Sequence, residues 1–180
     1  ITMTQTYSLT EVSASGITLP YHQSMEKVGS CGVPAMHSQA RICDPDGNEV
    51  PPGTVGEICI KGPEVMQGYW RNPEATAATL REGWCHTGDL GTMDADGYFY
   101  LVDRAKDMLI SGGINVYPAE VEAVLATLDG VGECAVIGVQ DETWGEVPLA
   151  LLVPLPGRTP DLHALRDLCI ARLADYKRPR

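Results

Sequence analysis

Basic residues are scarce in this 180-residue chain: 13 Lys and Arg stand against 24 Asp and Glu, for a net charge of −11. That balance argues against nonspecific binding to nucleic acid, because phosphate backbones attract basic faces. Four of the thirteen, Arg172, Lys177, Arg178 and Arg180, gather at the C-terminal end. No apolar run approaches the roughly 18 residues that would cross a membrane. No basic segment leads into an apolar one as a secretion signal would. The chain opens on Ile1 rather than Met, so the natural start is expected upstream, and the missing signal carries little weight. Six cysteines (Cys31, Cys43, Cys59, Cys85, Cys134, Cys169) include no CxxC pair, so the close ligand spacing of a zinc site is missing. A disulfide framework is not expected in a chain with this much core, which leaves buried thiols in a reducing, cytoplasmic compartment. No internal repeat is present.

What is there centres on Asp103–Glu122, DRAKDMLISGGINVYPAEVE. A charged knot (Asp103, Arg104, Lys106, Asp107) separates two apolar strands, 98–102 and 108–110. Gly112 and Gly113 follow, and Tyr117 and Pro118 open a helix to Leu128, with Val121, Val124, Leu125 and Leu128 at helical spacing and Gly130 placed to end it. Upstream, Trp84 to Asp89 carry a compact hydroxyl-Gly-carboxylate turn before the strand. Residues 1–30 read as a strand end, a YSLTE turn and a loop rich in Ser, Gly and Thr. From Cys31 to Val65 the texture is β, with a turn at Asp44–Gly47, and Ile58 and Ile60 alternate with Cys59 and Lys61 as on a strand with two different faces. A short helix is expected over 72–81, with Pro73 in its first turn. Asp94–Gly97 lacks the third ligand and the distal glutamate of a calcium loop and reads as a tight hairpin. Past the knot come a strand at 134–139, a loop with Trp144-Gly145-Glu146, a strand at 149–153, and a last helix capped by Thr159 with Pro160 at its first position. Its apolar stripe is Leu162, Leu165, Leu168, Cys169 and Leu173. The expected class is α/β (α+β): a β-rich part over 1–103, then a small mixed α/β domain over 104–180.

Five blocks in order carry a resemblance: YSLTE at 7–11, GEICIKGPEVMQGYWRNPEAT at 56–76, GWCHTGDLG at 83–91, the 103–122 stretch, and the YKRPR ending. Together they resemble the adenylate-forming, AMP-binding superfamily, its acyl-CoA synthetases most closely. The resemblance implies a ligase that joins a carboxylic acid to AMP from ATP with Mg2+, then passes the acyl group to the thiol of CoA. Residues 1–103 would then be the end of a large AMP-binding domain and 104–180 most of the small C-terminal domain.

By motif position, the resemblance implies that Thr10 donates to the α-phosphate, that Glu11 helps hold Mg2+, and that Tyr7 lies against adenine. Read alone, Thr10 and Glu11 make a simple cap or turn. Ser8 stands where the family usually has glycine. Asp89 would accept from the ribose hydroxyls, and its bland alternative is a turn cap. Arg104 would add a charge-assisted contact to ribose or phosphate, or pair with Asp103 or Asp107. His86 reads as a neutral histidine packed beside the site. Lys106 occupies the hinge position, where a long solvated side chain tolerates two backbone states. Gly112 and Gly113 would leave room for a pantetheine arm, or make a plain turn. Trp144 is a platform at the mouth of the CoA channel, or a core tryptophan. The phosphate loop and most of the acyl pocket are expected before Ile1 and the adenylation lysine beyond Arg180, so these residues alone are expected to be inactive. The acid stays open among fatty, aromatic and small dicarboxylic ones. The segment SGGINVYPAEVE resembles the CoA ligases more than the peptide-synthetase adenylation domains, and that resemblance implies CoA rather than a carrier protein as acceptor. A carrier-loading adenylation domain, an oxidative relative of the luciferase kind and a noncatalytic nucleotide-binding or interaction module are the alternatives.

Overall fold

The computed structural model describes residues 4–13 and 16–180. The chain divides into two compact units, Ile1–Ala105 and Lys106–Arg180.

The first unit begins with β1 (Gln5–Tyr7), β2 (Ile17–Leu19) and β3 (Val33–Pro34), an antiparallel sheet in that order. The expected Ser/Gly/Thr loop therefore contains a strand. Ile17 and Leu19 are buried on either side of half-buried Thr18, an alternation too short to stand out in polar surroundings. A second sheet follows, built from β4 (Gln39–Cys43), β5 (Gly56–Lys61), β6 (Leu80–Arg81), β7 (Trp84–Met93) and β8 (Phe99–Arg104). Its order is β4-β5-β7-β6, with β8 beside the second half of β7. Ile58, Cys59 and Ile60 are all fully buried, so β5 does not have two contrasting faces. It lies between β4 and β7, and the face expected to be polar stays covered until Lys61.

Between β5 and β6 lies α1 (Pro73–Thr79), started by the Asn72 side chain accepting from Ala75 N at 3.0 Å. It stops two residues short of expectation because Leu80 and Arg81 pair with β7. The 94–97 segment is a hairpin turn, with Gly97 N donating to Asp94 O. Lys27 Nζ reaches Asp94 at 2.8 Å and Asp96 at 2.7 Å, so an ammonium already holds this acidic pair. Val12, Ile17, Cys31, Ile42, Ile58, Ile60, Cys85 and Phe99 form the core, against which Tyr7 and Leu9 pack.

The second unit contains β9 (Leu109–Ser111), β10 (Ile114–Val116), α2 (Pro118–Leu125), β11 (Val131–Asp141), β12 (Gly145–Pro154) and α3 (Leu162–Arg172). The sheet is antiparallel in the order β10-β9-β12-β11. Leu109, Val116, Val121, Leu125, Val136, Cys169 and Leu173 join sheet and helices in one core. The α2 helix ends at Leu125 rather than Leu128, in a turn closed by Leu128 N donating to Leu125 O. The two long strands run well past their expected ends because they form one continuous hairpin, paired from Val131–Pro154 to Asp141–Gly145. Trp144 thus sits in a tight turn and Gly145 and Glu146 belong to β12. Asp161, not Thr159, caps α3: its carboxylate accepts from His163 N at 2.8 Å, and the helix starts at Leu162. Leu162 is 69% exposed and drops out of the apolar stripe.

The class is mixed α/β. All six cysteines are free thiols, five of them buried. Among the described residues no helix is long and apolar enough to cross a membrane.

Candidate functional site

The Thr87-Gly88-Asp89 run is not a turn ahead of a strand but a bulge inside β7. Glu57 pairs with Leu90 and Cys59 with His86, so Ile58 alone opposes these three residues. Gly88 takes φ +74°, open to glycine at little cost. Thr87 Oγ1 donates to Ile58 O at 2.7 Å and accepts from Asp89 N at 3.1 Å, replacing ladder bonds that the bulge removes. Across the sheet, Ala105 N donates to Gly88 O at 2.8 Å.

The bulge aims Asp89 at residues far away in the chain. Tyr7 Oη donates to Asp89 Oδ2 at 2.7 Å, across 82 positions. Burial, with the Asp89 carboxylate adding to it, pushes the Tyr7 phenol well above its ordinary range. Tyr7 therefore stays a donor. Arg104, on the strand paired with Asp89, places Nε 3.6 Å from Asp89 Oδ1. Its guanidinium is 64% exposed while Asp89 is only 18% exposed, so the cation forms an open flank and the carboxylate the inner wall. The Asp103 carboxylate accepts from the Arg104 backbone N at 2.8 Å.

Thr10 and Glu11 lie in a 3₁₀ turn, Thr10–Val12, anchored by buried Val12. Thr10 is exposed. Tyr69 Oη donates to Glu11 Oε1 at 2.6 Å, and that bond raises the Tyr69 phenol's pKa. Met66 N donates to Glu11 O at 2.7 Å, tying the turn to the same segment by its backbone. The Ser8 hydroxyl turns to the backbone and donates to Ser13 O at 3.0 Å, which absorbs the side chain where glycine is usual.

His86 is buried, and its Nδ1 lies 2.6 Å from Glu57 Oε2 and 3.4 Å from Cys59 Sγ. Tyr69 and Glu57 are the residues that sequence reasoning missed. Both stand inside blocks quoted above, yet neither position has a local pattern that separates it from an ordinary strand or loop residue.

In the second unit, Lys106 is exposed in the turn that leads to β9. Gly112 and Gly113 form the β9–β10 hairpin at φ +59° and +79°. Gly112 N donates to Trp144 O at 2.8 Å, and the Trp144 ring covers Gly112 so closely that an added Cβ would stand 2.7 Å from it. A Cβ on Gly113 would meet nothing. The Arg180 guanidinium lies 4.6 Å from the Trp144 ring centroid, so this half-buried tryptophan is a surface clamp and not a core residue.

Two sequence families match this arrangement in the order of the two units. The AMP-binding enzyme family matches residues 1–70, and the AMP-binding enzyme C-terminal domain family matches residues 120–180. The chain belongs to the adenylate-forming, AMP-binding enzyme superfamily. It is similar to the feruloyl-CoA synthase of Amycolatopsis sp., 51% identical over 98% of this chain and 36% of that protein. It is also similar to the 2-succinylbenzoate–CoA ligase of Geobacillus kaustophilus, 49% identical over 97% of this chain and 36% of that one. Among solved structures, o-succinylbenzoate CoA synthetase (MenE) from Bacillus subtilis, in complex with its acyl-adenylate intermediate, superposes with a TM-score of 0.91. The identity is 43%, over 98% of this chain and 36% of that one. The same enzyme with ATP and magnesium superposes at 0.89, with the same identity and coverage. The chain thus spans about a third of the length of the curated relatives it matches.

Proposed function

We propose that this chain is part of an AMP-forming acid–thiol ligase, an acyl-CoA synthetase. In the first half-reaction a carboxylate oxygen attacks the α-phosphorus of ATP, pyrophosphate leaves, and acyl-AMP forms. In the second, the CoA thiol attacks the acyl carbon and AMP leaves. The observation that carries this reading is the Tyr7–Asp89–Arg104 constellation, a semi-buried carboxylate fixed by a phenol on one side and flanked by an open guanidinium on the other.

In this reading Asp89 accepts from the ribose hydroxyls while Tyr7 holds the carboxylate in place and packs beside adenine. Arg104 adds a charge-assisted contact to ribose or phosphate. Thr10 donates to the α-phosphate, where charge develops. Glu11 presents a carboxylate oxygen of the hard kind that Mg2+ prefers, with its other oxygen tied by Tyr69. The ion would be held there and would neutralise charge on the phosphates. Lys106, the first residue of the second compact unit, serves as the pivot between half-reactions. Gly112, Gly113 and Trp144 flank the path of the pantetheine arm. The glycines supply backbone without side chains and Trp144 a flat wall.

The test uses the full-length protein with ATP, Mg2+ and a panel of acids, aromatic ones first because the relatives are named for feruloyl and succinylbenzoyl substrates. CoA and a pantetheinylated carrier protein are offered in parallel. Acyl-CoA with AMP is the expected product. Acyl transfer to the carrier protein alone would replace this reading with a carrier-loading domain. AMP binding without turnover of any acid would leave a nucleotide-binding module.

A further inference from the structure

We propose that Glu57 is a positioning residue for the nucleotide contact made by Asp89, acting through the β7 bulge and not on the ligand. The inference rests on the reading of Asp89 as the ribose contact. A bulge strips backbone groups of their ladder partners, and these must be satisfied some other way. Glu57, the last residue of β5 before the register shifts, does this for one backbone group and holds a side chain with its other oxygen. Oε1 accepts from Gly88 N at 2.9 Å, at the apex of the bulge. Oε2 accepts from His86 Nδ1 at 2.6 Å, at its base. A carboxylate only accepts, so the His86 proton sits on Nδ1. The carboxylate therefore spans the bulge from base to apex. Thr87 fixes the far side through Ile58 O and Asp89 N. With both ends pinned, the backbone at Gly88 has one depth and Asp89 one direction. Arg81 Nη2 lies 3.8 Å from Glu57 Oε2, the oxygen that does not accept from Gly88 N.

Glu57, Cys59 and His86 are also residues of metal-ligating type, with donor atoms within 4.8 Å of one another. Their spacing fits a hydrogen-bonded clamp better. Two ligands on a tetrahedral zinc stand about 3.3 Å apart, given bonds near 2.0 Å. Nδ1 and Oε2 are 2.6 Å apart, a hydrogen-bond distance.

AMP affinity of the full-length protein, measured by calorimetry for the parent, Glu57→Ala, Glu57→Gln, Asp89→Ala and the Glu57→Ala/Asp89→Ala double variant, tests this. Glu57→Ala should weaken AMP about tenfold, the size of one charge-assisted hydrogen bond. The double variant should bind no more weakly than Asp89→Ala alone, since Glu57 acts only through Asp89. Glu57→Gln should restore affinity to within about threefold, the new carbonyl accepting from Gly88 and the new amide donating to His86. In that variant the histidine proton must move to Nε2, which nitrogen NMR reads even if the alanine variant folds poorly. Additive losses in the double variant, or a His86 ring that keeps its Nδ1 proton in the Glu57→Gln protein, would overturn the proposal. So would a Glu57→Ala protein with parental affinity beside a weakened Asp89→Ala. If Asp89→Ala itself leaves affinity unchanged, the ribose reading has failed, and that result is distinct from a failure of the clamp.

Discussion

The two units hold their candidate residues by different means. In the first, side chain meets side chain across long separations: Tyr7 with Asp89 over 82 positions and Tyr69 with Glu11 over 58. In the second, Gly112 and Gly113 are set by their own backbone, and a neighbouring aromatic ring leans on one of them. The first arrangement fixes charges and donors before a ligand arrives, as electrostatic stabilisation requires. The second fixes shape and leaves space.

The largest expected effect comes from breaking the first arrangement at its centre. Asp89→Ala removes the carboxylate and leaves a half-buried phenol without its acceptor. Losing a hydrogen bond to a charged group costs roughly 1.5–3 kcal/mol, so AMP affinity should fall by about ten- to a hundredfold by calorimetry. Parental affinity would mean that the ribose is held elsewhere.

Next is the contrast between the paired glycines. Gly112→Ala puts an L-residue at φ +59° and drives its Cβ into the Trp144 ring, whereas Gly113→Ala meets only the dihedral penalty. About 1 kcal/mol is expected for Gly113→Ala and about 2–3 kcal/mol for Gly112→Ala, read from denaturant midpoints. Equal losses would show that Trp144 yields freely and is no clamp.

Alkaline pH should separate the units through their buried thiols. Burial pushes the Cys85 thiol up to about 11, and raises Cys31 and Cys59 too. A thiol raised in the folded state contributes fully below its unfolded value, about 8.5, and loses that contribution as pH climbs through the folded value. The first unit should therefore lose stability between about pH 8.5 and 11, and Cys85→Ala should flatten the slope. In the second unit, Arg178 opposes the burial of Cys169, so the drop there should be shallower. Hydrogen exchange resolved by segment measures both.

The smallest effect is Tyr69→Phe. It frees Glu11 Oε1 without touching the fold, for about 1 kcal/mol at an exposed site. The Mg2+ concentration for half-maximal adenylation should rise several-fold in the full-length protein, with CoA dependence unchanged. A change in CoA dependence instead would move Tyr69 out of the metal's surroundings.

Much of the fold was legible from short-range chemistry. Asn72 with Pro73 started α1 and Asp94–Gly97 turned a hairpin, because caps and turns are satisfied by neighbours within four residues, and Pro118 opened α2 from its first position, where the missing N–H costs nothing. Distant strands decide most of the differences. Local pattern alone puts Cys59 on a second strand face, Thr87–Asp89 in a turn ahead of a strand, and the α3 cap at Thr159. In the first two the pairing of distant strands sets the outcome, and in the third the helix starts two residues later, with Asp161 accepting from His163 N.

For the site, the order of five blocks pointed to the superfamily, and that resemblance, not the residue types themselves, attached expected roles to Tyr7, Thr10, Glu11, Asp89 and Arg104. Only the tertiary structure decided that Tyr7 and Arg104 both address Asp89, that Tyr69 ties Glu11, and that Glu57 bridges the bulge. The physical reason is range. A cap or turn is settled by bonds the chain makes with itself a few residues away, whereas a carboxylate's partners are chosen by which strands pair, and pairing follows from burial summed over the whole core.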